Sequence, residues 1–150
     1  MKDLEEMTGI ERSSFGAQSY RRELIEKLLT DQKFHNVIVE EDDKNVGYAT
    51  FFEDARRKRG RLVTIAVVPE YRNRGLAKAM LAFLEQAMEK RSLLISSLEV
   101  GTSNAPATKL YLSVGYRIEY TIQDYYGKGK DAFCMEKSIK GGTCKSGVMP

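Results

Sequence analysis

The chain is poor in the residues that build metal centres and cross-links: 150 residues contain two cysteines, Cys134 and Cys144, and one histidine, His35. The cysteines form neither a C-x-x-C motif nor a disulfide framework, and one histidine leaves a structural zinc site short of ligands, so no metal is expected. No apolar run reaches the roughly 20 residues that cross a bilayer, and the N-terminus does not read as a signal peptide. The expectation is a protein without a membrane partner, with the cytoplasm as its default compartment. Repeats, linkers and low-complexity tracts are also missing before Gly141. Residues 1–140 are therefore expected to form one domain and residues 141–150 a flexible tail. Charge of one sign is scarce as well: the formal net charge is +3, with 42% hydrophobic and 30% charged residues, an ordinary globular balance.

What charge there is clusters in Arg56-Arg57-Lys58-Arg59-Gly60-Arg61. This run reads as a solvated hairpin turn, with a docking patch for RNA or the ribosome surface as the alternative. His35 reads as a satisfied residue on a strand edge.

Periodicity divides the rest. Residues 4–14 and 20–29 read as helices, the second with Leu24, Ile25, Leu28 and Leu29 on one face and Ser19 as N-cap. Residues 37–39 and 46–52 read as strands joined by a polar turn over 41–45. Residues 62–68 form a nearly continuous apolar strand, expected to be central and buried on both faces. Helical spacing follows in Leu76, Met80, Phe83, Leu84 and Ala87, then a strand over 93–100. Ala107, Leu110, Tyr111 and Val114 fall at i, i+3, i+4 and i+7 before Gly115, a helix C′ residue. Residues 116–122 and 132–139 close the pattern as strands. The order of strands and helices indicates a mixed α/β (α+β) sheet.

The most telling stretch is Val67-Val68-Pro69-Glu70-Tyr71-Arg72-Asn73-Arg74-Gly75-Leu76-Ala77. An apolar strand ends there, and a helix opens at once on positive charge and uncovered N–H groups, a ready phosphate site. Glycine at position 75 lets an anion approach the backbone. Two further residues carry chemistry. Glu99 is the only charge in residues 93–100: either an exposed strand-end glutamate or, in partly apolar surroundings, a usable base. Tyr111 lies on its helix's apolar stripe, so it is either a packed core tyrosine or, with its hydroxyl uncovered, an acid. Asn104, just before Pro106, suits a helix start.

Together, Arg72-x-x-Gly75-x-Ala77, Leu98-Glu99-Val100, Ser103-Asn104-x-x-Ala107-x-x-Leu110-Tyr111 and Gly115-Tyr116 resemble the GNAT superfamily of acetyl-CoA-dependent N-acetyltransferases. Tyr125-Tyr126-Gly127-x-Gly129-x-Asp131-Ala132-x-x-Met135 is similar to the closing segment of protein N-terminal acetyltransferases of the bacterial RimI and archaeal or eukaryotic Nat types. The resemblance spans about residues 4 to 139. Members usually begin with a strand before the first helix, whereas this chain starts almost at the helix; a late start and a sheet without that edge strand are the two readings.

The resemblance implies a single domain with a central mixed sheet, about four flanking helices, and two central strands splayed around acetyl-CoA. The pyrophosphate would take N–H bonds from Arg74, Gly75, Leu76 and Ala77, with Arg72 and Asn73 completing the loop. The pantetheine arm would pair with main chain at Ala66, Val67 and Val68 and meet Asn104 and Tyr111. The N–H of Val67 would polarise the thioester carbonyl. Glu99 would be the base and Tyr111 the acid. Because an ordinary glutamate near pKa 4.3 is a feeble base for an α-amine near 8, burial or a relaying water is required. Phe15, in the loop between the first helices, and Tyr71 would line one acceptor wall, and Tyr125 and Tyr126 the other. The implied acceptor is a protein or peptide N-terminus. A lysine side chain or small amine, or a non-catalytic module docking on RNA, are the alternatives. Oligomeric state and any auxiliary subunit stay open.

Overall fold

The computed structural model describes residues 2–15 and 22–139, with side chains from Leu4 to Arg12 and throughout 22–139. Ser19, Cys144 and the expected tail lie outside the described residues. The elements run α1 (Lys2–Phe15), α2 (Arg22–Thr30), β1 (Phe34–Glu41), β2 (Lys44–Asp54), β3 (Arg59–Val67), a 3-10 turn (Pro69–Tyr71), α3 (Leu76–Lys90), β4 (Ile95–Gly101), α4 (Ala105–Ser113), β5 (Arg117–Ile122) and β6 (Ala132–Ser138). The six strands make one mixed sheet in the order β1-β2-β3-β4-β6-β5. Among the described residues, no helix is long and apolar enough to cross a membrane. The chain divides into two compact units, residues 1–53 with 63–86 and residues 54–62 with 87–150.

In the first unit, α1 places Leu4, Met7 and Ile10 at one-turn spacing against Ile25 of α2, Tyr48 of β2 and Ala66 of β3. Ile25 and Leu28 are buried, but Leu24 is exposed, so the inward face of α2 is narrower than the four-residue stripe read from the sequence. Glu11 is also buried, and there the Tyr48 hydroxyl donates to its carboxylate. The β1–β2 turn is tighter than the expected 41–45. Asp42 and Asp43 both adopt positive φ (53° and 61°), a two-residue turn whose twist matches the flanking strands, so Glu41 pairs directly with Lys44.

Strand β3 alternates instead of being buried on both faces. Leu62, Thr64 and Ala66 are buried, while Val63, Ile65 and Val67 keep partial exposure. Helix α3 buries Met80, Leu81, Leu84 and Met88, and leaves Phe83 57% exposed. Leu81 supplies the inward position the sequence reading gave to Phe83, because 81, 84 and 88 keep the i, i+3, i+7 spacing.

In the second unit, β4 pairs in parallel with β3 through Arg59↔Ile95, Gly60↔Ser96 and Arg61↔Ser97, and antiparallel with β6 along its length. A Cβ at Gly60 would sit 2.7 Å from the Met88 sulfur, so glycine there permits the close approach of α3. Ser96 and Tyr116, both buried, share a 2.6 Å hydrogen bond. Helix α4 starts as expected: Asn104 Oδ1 accepts from the Ala107 N–H at 3.2 Å, and Gly115, at φ 105°, follows the Val114 C-cap.

Candidate active site

The first unit carries the anion-binding features. After β3, Arg72 Nε donates to the Val67 carbonyl at 2.9 Å, tying the loop to the strand end. Asn73 and Gly75 take left-handed conformations (φ 64° and 79°) on either side of Arg74. Such reversals turn successive N–H groups toward one point and form an anion-binding nest. Gly75 then accepts from the Ala79 N–H at 3.0 Å, so the first-turn donors of α3 begin at Leu76 and Ala77. A Cβ at Gly75 would meet nothing within 4 Å, leaving open space over the nest. These features fit a pyrophosphate: the backbone is left-handed on both sides of Arg74, the helix dipole favours negative charge, and Gly75 carries no side chain to block approach.

Tyr71 belongs to the same loop. Its hydroxyl donates to Asp42 Oδ2 at 3.1 Å, and the Arg74 guanidinium lies 4.7 Å from its ring centroid. Arg74 is thus stacked as a cation on an aromatic face, which leaves its backbone N–H as its contribution to the nest. Phe15, expected in a loop, is the last residue of α1. Its side chain lies outside the described residues. The N–H of Val68 bonds to the Val46 carbonyl at 2.9 Å.

The second unit carries the acid–base candidates. Glu99 projects from β4 opposite Leu98 and Val100, and its side chain is 14% exposed. It is not the isolated carboxylate that burial alone would turn into a base. Arg61 of β3 closes on its Oε1 with Nη2 at 2.7 Å and Nε at 2.9 Å, an ion pair with two charge-assisted hydrogen bonds. Burial opposes the charge of Arg61, but hydrogen bonding to and attraction by Glu99, helped by Tyr125, outweigh it and raise its pKa further.

The loop between β5 and β6 folds onto the same carboxylate. Tyr125 Oη accepts from Arg61 Nη2 at 2.8 Å and lies 3.4 Å from Glu99 Oε1; Tyr126 donates to the Glu99 carbonyl at 3.3 Å. The two rings meet edge-on, centroids 4.9 Å apart. Gly127 and Gly129 carry positive φ, and the Asp124 carboxylate accepts from the Gly129 N–H while Asp131 accepts from the Asp124 N–H. That bonding explains why this loop has glycine and aspartate where it does.

Tyr111 is buried, its ring edge-on to Tyr116 at 5.8 Å. Among the described residues its hydroxyl has no hydrogen-bond partner, yet no fully enclosed polar side-chain atom is left unpaired, so the oxygen keeps contact with solvent. Burial, reinforced by Tyr126, pushes the phenol up to about 12.

Sequence reasoning missed Arg61 as part of this constellation by reading it within the basic run. Arg59 and Arg61 belong instead to β3, where they pair with Glu136 (2.6 Å) and Glu99. Only Arg56, Arg57 and Lys58 remain on the exposed turn, Arg57 near Asp54 at 3.9 Å, so the run is a solvated turn followed by paired strand residues rather than one free patch. The available signal was alternation: a strand beginning at 59 places Arg59 and Arg61 on one face. His35 pairs with Glu53 at 2.7 Å, and Cys134 is buried with its thiol pushed up by burial, which fits structural roles for both. Among the described residues, no cluster of three metal-ligating side chains occurs.

The sequence pattern of the acetyltransferase (GNAT) family matches residues 2–116. The chain belongs to that family. This makes it an acetyl-CoA-dependent acetyltransferase with the GNAT fold. It is 28% identical over 143 residues, 93% of this chain and 91% of the other, to a Bacillus subtilis protein described as a candidate ribosomal protein bS18-alanine N-acetyltransferase. It is 38% identical over 79 residues to an N-alpha-acetyltransferase of Sulfurisphaera tokodaii, 52% of this chain and 47% of that one. The solved ribosomal-protein-S18-alanine N-acetyltransferase of Escherichia coli superposes with a TM-score of 0.85 at 25% identity, covering 100% of this chain and 95% of that one.

Proposed function

We propose that this acetyltransferase moves the acetyl group of acetyl-CoA onto the α-amine of a protein or peptide N-terminus by direct attack. The observation that carries the reading is the β5–β6 loop on Glu99: the Tyr125 hydroxyl and Arg61 meet one oxygen of the carboxylate and leave the other open, while Tyr126 donates to the Glu99 backbone carbonyl. The named relatives that act on protein N-termini support it. The cytoplasm, where new N-termini and acetyl-CoA meet, is the compartment the reading entails.

In this mechanism the nest at Asn73–Ala77 grips the pyrophosphate. Main chain at Ala66 and Val67 would pair with the pantetheine arm, Asn104 would contact that arm through its amide nitrogen, and the Val67 N–H would polarise the thioester carbonyl, whereas the Val68 N–H is held by the Val46 carbonyl. An α-amine with a pKa of about 8 is roughly nine-tenths ammonium at pH 7, so a proton must leave before attack. The open oxygen of Glu99 receives that ammonium and relays its proton to water. Tyr125 and Tyr126 flank the first residues of the acceptor.

Tyr111 faces the departing thiolate. A phenol near 12 giving its proton to an ordinary thiolate near 8.5 runs uphill by about 5 kcal/mol. Tyr111 therefore stabilises the sulfur by hydrogen bonding, and the proton that ends on sulfur originates on the acceptor nitrogen. The test compares peptides with free and with blocked N-termini, each carrying an internal lysine, by mass spectrometry. Acetyl added only at free α-amines supports the reading; acetyl on lysine of blocked peptides overturns it.

A further inference from the structure

Arg61 does more than hold Glu99 in place. Its Nε and Nη2 both close on Glu99 Oε1, and Nη2 also donates to Tyr125. Among the described residues nothing engages its Nη1 or the second oxygen of Glu99. The Arg61 side chain is 47% exposed. The ion pair thus leaves two opposite valences without partners among the described residues, an acceptor oxygen and a cationic N–H pair. Consecutive Cα atoms are about 3.8 Å apart, so a chain whose terminal amine sits on Glu99 brings its first or second side chain to Arg61.

We propose that Arg61 selects the acceptor: it receives a carboxylate carried by the first or second residue of the N-terminus that is acetylated. This rests on the N-terminal reading above. A carboxylate is favoured over an amide because the hydrogen bond to a guanidinium is charge-assisted and planar. A lysine or arginine at the same place meets Arg61 with like charge and is disfavoured. Half-exposure limits the effect to about tenfold.

The experiment measures kcat/KM for peptide sets identical except for Glu, Gln or Lys at the first or the second residue. The native protein should favour Glu over Gln by about tenfold at one of the two positions, chiefly through KM, with Lys poorest, and the preference should shrink in high salt. Arg61→Gln should bring the Glu-to-Gln ratio near one, Arg61→Lys should retain part of it, and Arg61→Glu should reverse it in favour of Lys. A merely structural Arg61 would lower all peptides together and leave the ratios intact, which overturns the proposal. Equal turnover of all three peptides by the native protein overturns it without any variant. If no α-amine is acetylated while lysine side chains or small amines are, the functional reading and this inference fall together; α-acetylation without charge preference sinks this inference alone.

Discussion

Replacing Tyr111 with phenylalanine should leave the protein about as stable as before while slowing turnover. The hydroxyl has no partner among the described residues, so its loss strands no donor or acceptor, and the edge-on contact with Tyr116 at 5.8 Å survives. The expected change in unfolding free energy at neutral pH is within about 0.5 kcal/mol. If the hydroxyl stabilises the leaving sulfur, kcat falls by about 100-fold. The alkaline range adds an independent check. Burial favours the neutral phenol, so the folded pKa, about 12, lies above the ordinary 10.0. Below pH 10 both folded and unfolded chains hold the proton, and stability is fully present. Between 10 and 12 the unfolded chain ionises first, and the folded state loses up to about 3 kcal/mol from this group. The phenylalanine variant lacks that loss, so denaturant midpoints of the two proteins should diverge above pH 10. Turnover of the native protein should rise as the acceptor amine deprotonates near pH 8, then stay level to about pH 10.5. A descending limb centred near 10 would refute the reasoning, since Tyr111 would then be titrating as an ordinary surface phenol. Unchanged kcat in the variant would remove Tyr111 from the chemistry.

Glu99→Gln removes the carboxylate and leaves Arg61 without its counter-ion. A stability loss of about 1 kcal/mol and a drop in kcat of at least about 100-fold are expected from melting curves and steady-state assays, and near-normal turnover would exclude Glu99 as proton acceptor. Gly75→Val forces a β-branched residue to φ 79° without a steric clash, so calorimetry should show coenzyme affinity falling by tenfold or more, with a local cost of about 1–2 kcal/mol; unaltered affinity would count against the nest. Gly60→Val drives a side chain into Met88, 2.7 Å from the first added carbon, and should destabilise by about 1–3 kcal/mol in denaturant titrations with no selective effect on KM.

The turn from β3 into α3 was legible because its signals are local. An apolar strand, a basic glycine-bearing turn and a helical pattern follow each other within a dozen residues, and the structure has that strand, turn and helix in order, with Asn73 and Gly75 left-handed. Asn104 and Gly115 were readable for the same reason, as caps judged by their immediate neighbours. Phe83 and Leu24 were misplaced because an apolar residue at a helix margin satisfies the periodicity whether or not a partner covers it. Two-sided burial of β3 failed because a continuous apolar run does not reveal which face stays open. The Arg61–Glu99 pair joins positions 38 apart in the chain and depends on the parallel register of β3 with β4, which no spacing in the sequence reports.

Strand β5 closes the sheet at one edge, and five of its six residues are exposed, including Ile118 and Tyr120. An uncovered rim of that kind invites copies of the chain to zip onto it. Arg117 and Glu119 interrupt the apolar letters, and the register break between Ile118 and Tyr120 bends the rim away from a straight template. Solubility is therefore written into the same six residues that finish the sheet: with threonine at both charged positions, the chain should become self-adhesive, seen as light scattering that grows with concentration.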